Sequence, residues 1–300
     1  MPELPEVTTT VNGLNIVLPN KTILNVWTDY HVGSTHKGKN TIKNEKYAEH
    51  FKQKVTGEKI IKSERRGKNI LIHLTHNKTI LIHMKMTGHL LYGKYEFKNG
   101  KWESNEKNLS DSFNKFVHLI FTLSNGKNLA FSDMRKFAKV MMFETDKQKD
   151  LLDLSLLGPE PLDDMLLDTF NKQLQKKPNG KIKTVLMDQN IIVGIGNIYS
   201  DEILWEVGIN PEKLVKNINE IDIKKLWQVM KKILTKSISV GGDSMSDYRN
   251  IYGERGNFQN MHKVYRRVGE RCTKKGCSGI IQRKVVGGRS AHFCSIHQKM

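Results

Sequence analysis

The first six residues, Met-Pro-Glu-Leu-Pro-Glu, set an imino acid beside a carboxylate. If Met1 is removed, as a small second residue permits, the chain begins with the secondary amine of Pro2. An α-amino group has a pKa of about 7.7 to 8.0 against about 10.4 for lysine, so roughly a tenth of it is unprotonated at pH 7 and ready to act as a nucleophile. Attack by a secondary amine on C1′ of a sugar gives an iminium with no N–H proton to lose. The charge therefore persists and draws electrons for elimination. Glu3 would stand beside that amine as an acid/base group, and Glu6 could position it or share in proton transfer. The same residues suit a helix start, with Pro5 and Glu6 in its first turn. Chemistry and capping are both open at this point.

A second constellation lies near the other end. Cys272, Cys277 and Cys294 are the only cysteines, and an odd number argues against a disulfide framework and for a reducing cytoplasm. Cys272 and Cys277 flank Thr-Lys-Lys-Gly, sixteen residues follow, and Cys294-Ser-Ile-His297 completes a set with the ligand types of a Cys3His zinc site. His292 is a rival fourth ligand, and three buried free thiols are the alternative. Four protein ligands leave no position for water, so one structural Zn2+ per chain is expected and zinc-dependent hydrolysis is not. Between the knuckles, a β-hairpin is expected to turn at Gly287 and Gly288, with Arg289 near its tip. A third signal is Gly194-Ile-Gly196-Asn197, where an apolar stretch runs into a helix. Backbone amides there suit a phosphate and Asn197 adds a side-chain donor; a tight packing turn is the competing reading.

The elements that must hold these groups fall into two patterns. Val7, Val11, Leu14 and Leu18 are at helical spacing, which predicts an amphipathic helix directly after the opening. Short apolar runs follow, among them Asn69–Leu74, with hairpin turns expected at Thr-His-Asn-Lys and Ser-Asn-Gly-Lys. Residues 1–148 are thus expected to form a β-rich sandwich carrying helices. Residues 149–262 turn helical, broken by Pro and Gly, with a polar Gly-rich and mobile loop from about Gly242 to Phe258. Residues 263–300 are the basic cysteine module. The class is α+β.

The 49 Lys and Arg exceed the 31 Asp and Glu by 18, a surplus that concentrates polyanions around the protein. Ten Lys/Arg against the single acid Glu270 between Met261 and Met300 put half of that surplus in the last forty residues. Nucleic acid is the expected partner. No stretch is long and apolar enough for a bilayer span, so no membrane partner is expected.

In order along the chain, MPELPEV, RRGKNILI, HMKMTG, DMRKF, LGPEPL, VGIGNIYSDEILW and the terminal GGRSAHFC resemble the formamidopyrimidine-DNA glycosylase (Fpg/Nei) family. The opening MPELPE favours the formamidopyrimidine branch over the endonuclease VIII-like one. The resemblance implies an N-terminal β-sandwich, a helix-two-turn-helix motif and a β-hairpin zinc finger that clamp a kinked duplex. It implies Pro2 as nucleophile, Glu3 as proton donor and acceptor, and Lys68 beside the lesion phosphate. Met86, Arg135 and Phe137 would fill the gap left by an everted nucleotide: a wedge, a guanidinium for the orphan base and a ring to stack. Asn197 and Arg289 would contact phosphates, and the loop after Gly242 would fold over an oxidised purine. The chain departs from the family in its longer first knuckle, in histidine as last ligand, in a lysine-poor stretch that keeps Lys183, and in an insertion, 98–115, without assigned role.

The resulting expectation is a base-excision repair glycosylase and lyase that removes 8-oxoguanine and formamidopyrimidines from double-stranded DNA and cuts the abasic site by β,δ-elimination. It would act as a monomer in the cytoplasm, on the nucleoid. An oxidised-pyrimidine glycosylase and a non-catalytic binder of damaged DNA are the alternatives.

Overall fold

The helix expected after the opening residues forms as α1 (Leu4–Val17), and it buries Val7, Val11 and Leu14 with Leu18 just beyond its end. The structure is a computed structural model that describes every residue except 34–37, 39 and 246, and only the backbone of 152 and 153. After α1 come β1 (Ile23–Thr28), α2 (Glu45–Val55), β2 (Ile60–Arg66), β3 (Asn69–Leu74), β4 (Lys78–His83), β5 (His89–Gly93), β6 (Glu96–Lys98), β7 (Lys101–Glu103), β8 (Val117–Leu123), β9 (Asn128–Ser132), β10 (Lys139–Glu144) and the single turn α3 (Leu152–Ser155). Two four-stranded antiparallel sheets result, ordered β1-β8-β9-β5 and β10-β4-β3-β2. Their main core joins Leu14 of α1, Phe51 of α2, Ile72 and Ile82 of one sheet, and Phe121 and Phe131 of the other. Both expected hairpin turns form. His76 and Asn77 take left-handed φ of 51° and 58° between β3 and β4, and Gly126 takes 75° between β8 and β9.

The second unit contains α4 (Leu167–Leu174), α5 (Ile182–Met187), α6 (Asn197–Val207), α7 (Glu220–Ser239), β11 (Ile281–Val286) and β12 (Arg289–Cys294). Its core gathers Phe170, Leu186, Ile203, Leu226 and Met230. Asn219 caps α7 by accepting from the Asp222 N–H at 2.8 Å, the role expected of Asn at a helix start.

Three features were not foreseen. Helix α2 begins at Asn44, whose side chain accepts from the Tyr47 N–H at 3.0 Å, and buries Ala48, Phe51 and Val55. The insertion places Leu109 and Trp102 with Leu91, Ile120 and Ala130 in a separate small core. This covers the second face of the β1-β8-β9-β5 sheet and explains why every residue of β5 and β9 is buried. Finally, the chain divides into two compact units, Met1–Ser155 with Gly241–Asn257, and Leu156–Val240 with Phe258–Met300. The Gly-rich stretch expected with the helical part thus returns to the first unit, because Ile251, 1% exposed, belongs to the sandwich core. Ser246, within that stretch, lies outside the described residues. No helix among them is long and apolar enough to cross a membrane.

Candidate active site and nucleic-acid interface

The helix-start reading of the opening residues holds. Glu3 is the N-cap of α1, and a reciprocal capping box forms: the Glu3 side chain accepts from the Glu6 N–H, while Glu6 Oε2 accepts from the Glu3 N–H at 2.7 Å. Pro2, Glu3 and Glu6 are all buried. The other oxygen of Glu6, Oε1, accepts from the Asp243 N–H at 2.8 Å, and its carbonyl accepts from Tyr248 Oη at 2.9 Å. Gly242 makes this approach possible. Its φ is +81°, and a Cβ there would lie 2.9 Å from Glu6 Oε1. The start of α1 and the loop at 241–257 are therefore joined through one carboxylate, a link between residues more than two hundred positions apart that local sequence could not display.

Sheet register explains how the proposed void-filling residues meet. Strand β4 pairs with β10 up to His83 and Lys139, and β5 pairs with β9 from His89 and Ser132. Both β4–β5 and β9–β10 must cross between sheets at that end, so the loop carrying Met86 and the loop carrying Arg135 and Phe137 run side by side. Asp133, fully buried, fastens them: its carboxylate accepts from Thr87 Oγ1, from Tyr30 Oη at 2.9 Å and from the Ala138 N–H at 2.9 Å. The Arg135 N–H also donates to Thr87 Oγ1 at 3.2 Å. Met86 is 43% exposed, and the exposed Arg135 lies over the Phe137 ring at 4.3 Å. The contact with the ring fixes the direction of the guanidinium, and the exposed thioether beside it is open to a partner. Asp133 was within a motif that sequence reasoning had singled out, yet its own part was missed.

Lys68 sits with Gly67 in the turn between β2 and β3, buried at 7% exposure. It shares its sheet end with His83, whose pKa is lowered to about 3 by burial and then by the cations of Lys85, Lys68 and Lys139. The ring stays neutral and its Nδ1 accepts from the Lys85 N–H at 3.0 Å. Beside this end a hollow of about 470 Å³ is lined by Thr41, Lys43, Lys85, Phe137 and Lys139. Three lysines around one unprotonated imidazole make a field that attracts anions, phosphate among them. Lys43, Lys85 and Lys139 carried no signal beyond the general excess of lysine.

In the second unit, Asn197 is the first residue of α6, behind a Gly196 cap that has no side chain to satisfy the helix start. Its Oδ1 is buried without a hydrogen-bond partner. The hairpin β11–β12 forms as expected, with Gly287 and Gly288 at its turn and Arg289 exposed just after it. Lys183 is not a surface cation: it is fully buried and paired with Asp201 on α6, whose second oxygen accepts from the His292 N–H at 3.0 Å and from His292 Nδ1 at 2.8 Å.

Cys272, Cys277 and Cys294 bring their sulfurs within 4.8 Å of one another and could hold a metal ion. Trp205 Nε1 donates to Cys272 Sγ at 3.3 Å, the Gly279 N–H to Cys277 Sγ at 3.4 Å and the His297 N–H to Cys294 Sγ at 3.5 Å. Among the described residues this group contains the three cysteines alone. His297 approaches it through its backbone, and its Nε2 is 2.7 Å from the Trp205 carbonyl. The rival His292 is engaged by Asp201.

Comparison with known proteins accounts for both units. Residues 1–140 match the family model of the formamidopyrimidine-DNA glycosylase N-terminal domain, and residues 157–249 match that of the formamidopyrimidine-DNA glycosylase H2TH domain. The formamidopyrimidine-DNA glycosylase of Bacillus subtilis is 37% identical over 295 residues, 98% of each chain, and that of Pelotomaculum thermopropionicum 34% identical over the full length of both. A Lactococcus lactis FPG mutant solved with Fapy-dG-containing DNA is similar with a TM-score of 0.83 at 29% identity, covering all of both chains. The Lactococcus lactis Fpg complex with abasic-site DNA gives the same score and identity over 99% of this chain and 100% of that one.

Proposed function

The chain belongs to the formamidopyrimidine-DNA glycosylase family, and on that premise we propose which of its residues carry out excision and strand cleavage. The protein is a DNA-repair glycosylase with lyase activity that removes oxidised purines. Pro2, freed of Met1, attacks C1′ of the lesion nucleotide. The glycosidic electron pair leaves with the base; the C1′–O4′ bond then opens, with a proton to O4′, to give the iminium, which accepts the electrons of the C2′–H bond as the 3′ phosphate departs. Glu3 delivers and removes the protons. Glu6 holds Glu3 through its backbone N–H and is the positioning group. Lys68 steadies the lesion phosphate, and Met86, Arg135 and Phe137 replace the everted nucleotide in the stack. Asn197 and Arg289 grip phosphates from the second unit. The loop 241–257 covers the everted base.

The Cys277 and Cys294 sulfurs stand 3.6 Å apart. Zinc–sulfur bonds of about 2.3 Å at tetrahedral angles separate sulfurs by about 3.8 Å, so the cysteines fit Zn2+. We assign Nδ1 of His297 as the fourth ligand, since a ligating histidine commonly directs its other nitrogen to a carbonyl, as Nε2 does here. When bound, zinc would fix the hairpin that bears Arg289 and supply no chemistry. The substrate is oxidised double-stranded DNA, met by a monomer on the nucleoid.

The observation that carries this reading is the capped α1 start, which holds Pro2, Glu3 and Glu6 in one buried cluster of a chain belonging to this family. Borohydride trapping on an 8-oxoguanine duplex tests it. The processed chain should give a covalent adduct and a chain extended at its N-terminus none; an adduct from the extended chain would overturn the assignment of Pro2.

A further inference from the structure

The insertion 98–115 contacts the loop 241–257 at residues other than those that meet Glu6. Arg249, 2% exposed, sets Nη2 3.5 Å from Asp111 Oδ1 and its guanidinium 4.8 Å from the Phe113 ring centre. Asn108 Nδ2 donates to Glu254 Oε1 at 3.4 Å. Gly253, at φ +78°, passes so close that a Cβ would fall 2.5 Å from the Asn108 carbonyl. The insertion is itself anchored. Buried Asn114 accepts from His89 Nε2 of β5 at 2.8 Å, and its Nδ2 donates to the Asn108 carbonyl at 2.8 Å. Leu109 packs in the small core on the sheet.

The loop is thus held at three points. Asp243 and Tyr248 tie it to Glu6; Ile251 inserts in the sandwich core while its carbonyl accepts from the Tyr92 N–H at 2.7 Å; and Arg249, Gly253 and Glu254 meet the insertion. An arginine buried to this degree needs a fixed anion and a fixed ring, because its desolvation is repaid only by well-placed partners. Asp111 and Phe113 are those partners, and both lie in a segment rigidly joined to the sheet.

We propose that the insertion 98–115 is a positioning element for base capture, with Asp111, Phe113 and Asn108 holding the loop 241–257 in the pose that closes over an everted oxidised base. The inference rests on that loop being the base cover in the proposed function. It makes a clear separation between two reactions. Excision of a damaged base needs the cover, whereas elimination at a preformed abasic site has no base to hold and needs only Pro2 and Glu3.

The experiment compares the full-length wild type with Asp111→Ala/Asn108→Ala and Asp111→Glu on two duplexes, one with 8-oxoguanine and one with an abasic site. Losing Asp111 leaves the buried Arg249 guanidinium without its anion, so the double variant is expected to unfold at a lower midpoint, and all rates are compared at a temperature at which circular dichroism shows every variant folded. The single-turnover excision rate of the double variant should fall about tenfold or more, in keeping with the cost of a misplaced reacting group, with KM for DNA unchanged. Abasic-site cutting should stay within about twofold, and Asp111→Glu should recover most of the excision rate. Unchanged excision, or an equal fall in both reactions, overturns the inference and leaves the glycosylase assignment intact. A wild-type chain inert on both duplexes overturns that assignment, and the inference with it.

Discussion

Glu6 illustrates how much can depend on one carboxylate. Its two oxygens serve two backbone N–H donors, Glu3 and Asp243, so it sets both the acid/base residue and the near end of the loop. Glu6→Gln keeps one acceptor oxygen and turns an amide N–H toward the second donor. Leaving a buried donor unmet costs about 1 to 3 kcal/mol; we expect a loss of that size in denaturant unfolding, together with slower excision. Asp133 is the equivalent hub for the wedge loops, and with three donors to satisfy, Asp133→Asn should weaken binding to duplex with an abasic site more than binding to undamaged duplex, read by fluorescence anisotropy. A pH effect follows from His83. Its folded pKa of about 3 lies below the ordinary histidine value of 6.5, so the fold favours the neutral ring. Its contribution to stability is complete above about pH 6.5 and is lost as pH falls toward 3, because the unfolded chain takes up the proton first. His83→Gln should flatten this part of the profile of unfolding free energy against pH. Pro2 and Glu3 stood out in the sequence as candidates because their chemistry depends on type and local position, and Lys68 through the family resemblance alone. Asp133 and Arg249 did not, since a buried acid or base declares itself only through partners brought by the fold.

Elements were legible where their period was long and regular. Helix α1 emerged with its buried face as expected, helix α7 formed within the stretch expected to be helical, and the hairpin β11–β12 formed at its glycine pair. Helix α2 was overlooked because its Lys- and Glu-rich sequence hides three apolar residues, although Asn44 gave a capping signal. The loop 241–257 was read from its polar composition alone, and two of its apolar or aromatic members, Tyr248 and Ile251, prove to be buried and anchor it, while Tyr252 is exposed. Between elements of the second unit, one buried pair does most to set the hairpin. Lys183 on α5 meets Asp201 on α6, and Asp201 in turn holds both the backbone and the ring of His292 on β12. Removing one member of a buried pair leaves the other charge uncompensated, at about 3 to 5 kcal/mol. Asp201→Asn should therefore lower the unfolding midpoint markedly. It should also speed metal release to a chelator, measured by a zinc-sensitive dye, because the strand bearing Cys294 loses its anchor. Lys183, kept from a lysine-rich family stretch, thus serves the fold.

At the scale of the molecule, an excess of 18 positive charges draws DNA of any sequence, and the question is which cations do so in register. Neutralised phosphates release counterions, so the logarithm of the binding constant falls linearly with the logarithm of salt, with a slope of about 0.9 per phosphate contacted. Lys68 and Arg289 are proposed to meet phosphates, Met86 to enter a gap in the stack, and these roles leave different signatures. Lys68→Met and Arg289→Met should each reduce the magnitude of the slope by about one and weaken binding to damaged and intact duplex alike. Met86→Ala should leave the slope unchanged and weaken only the duplex with an everted site, since a wedge is felt where there is a gap to fill. Titrations from low to physiological salt on both duplexes separate the cases. If Lys68→Met left the slope intact while abolishing excision, its ammonium would act on the reacting nucleotide itself, and the three-lysine end of the sandwich would belong to catalysis as well as to grip.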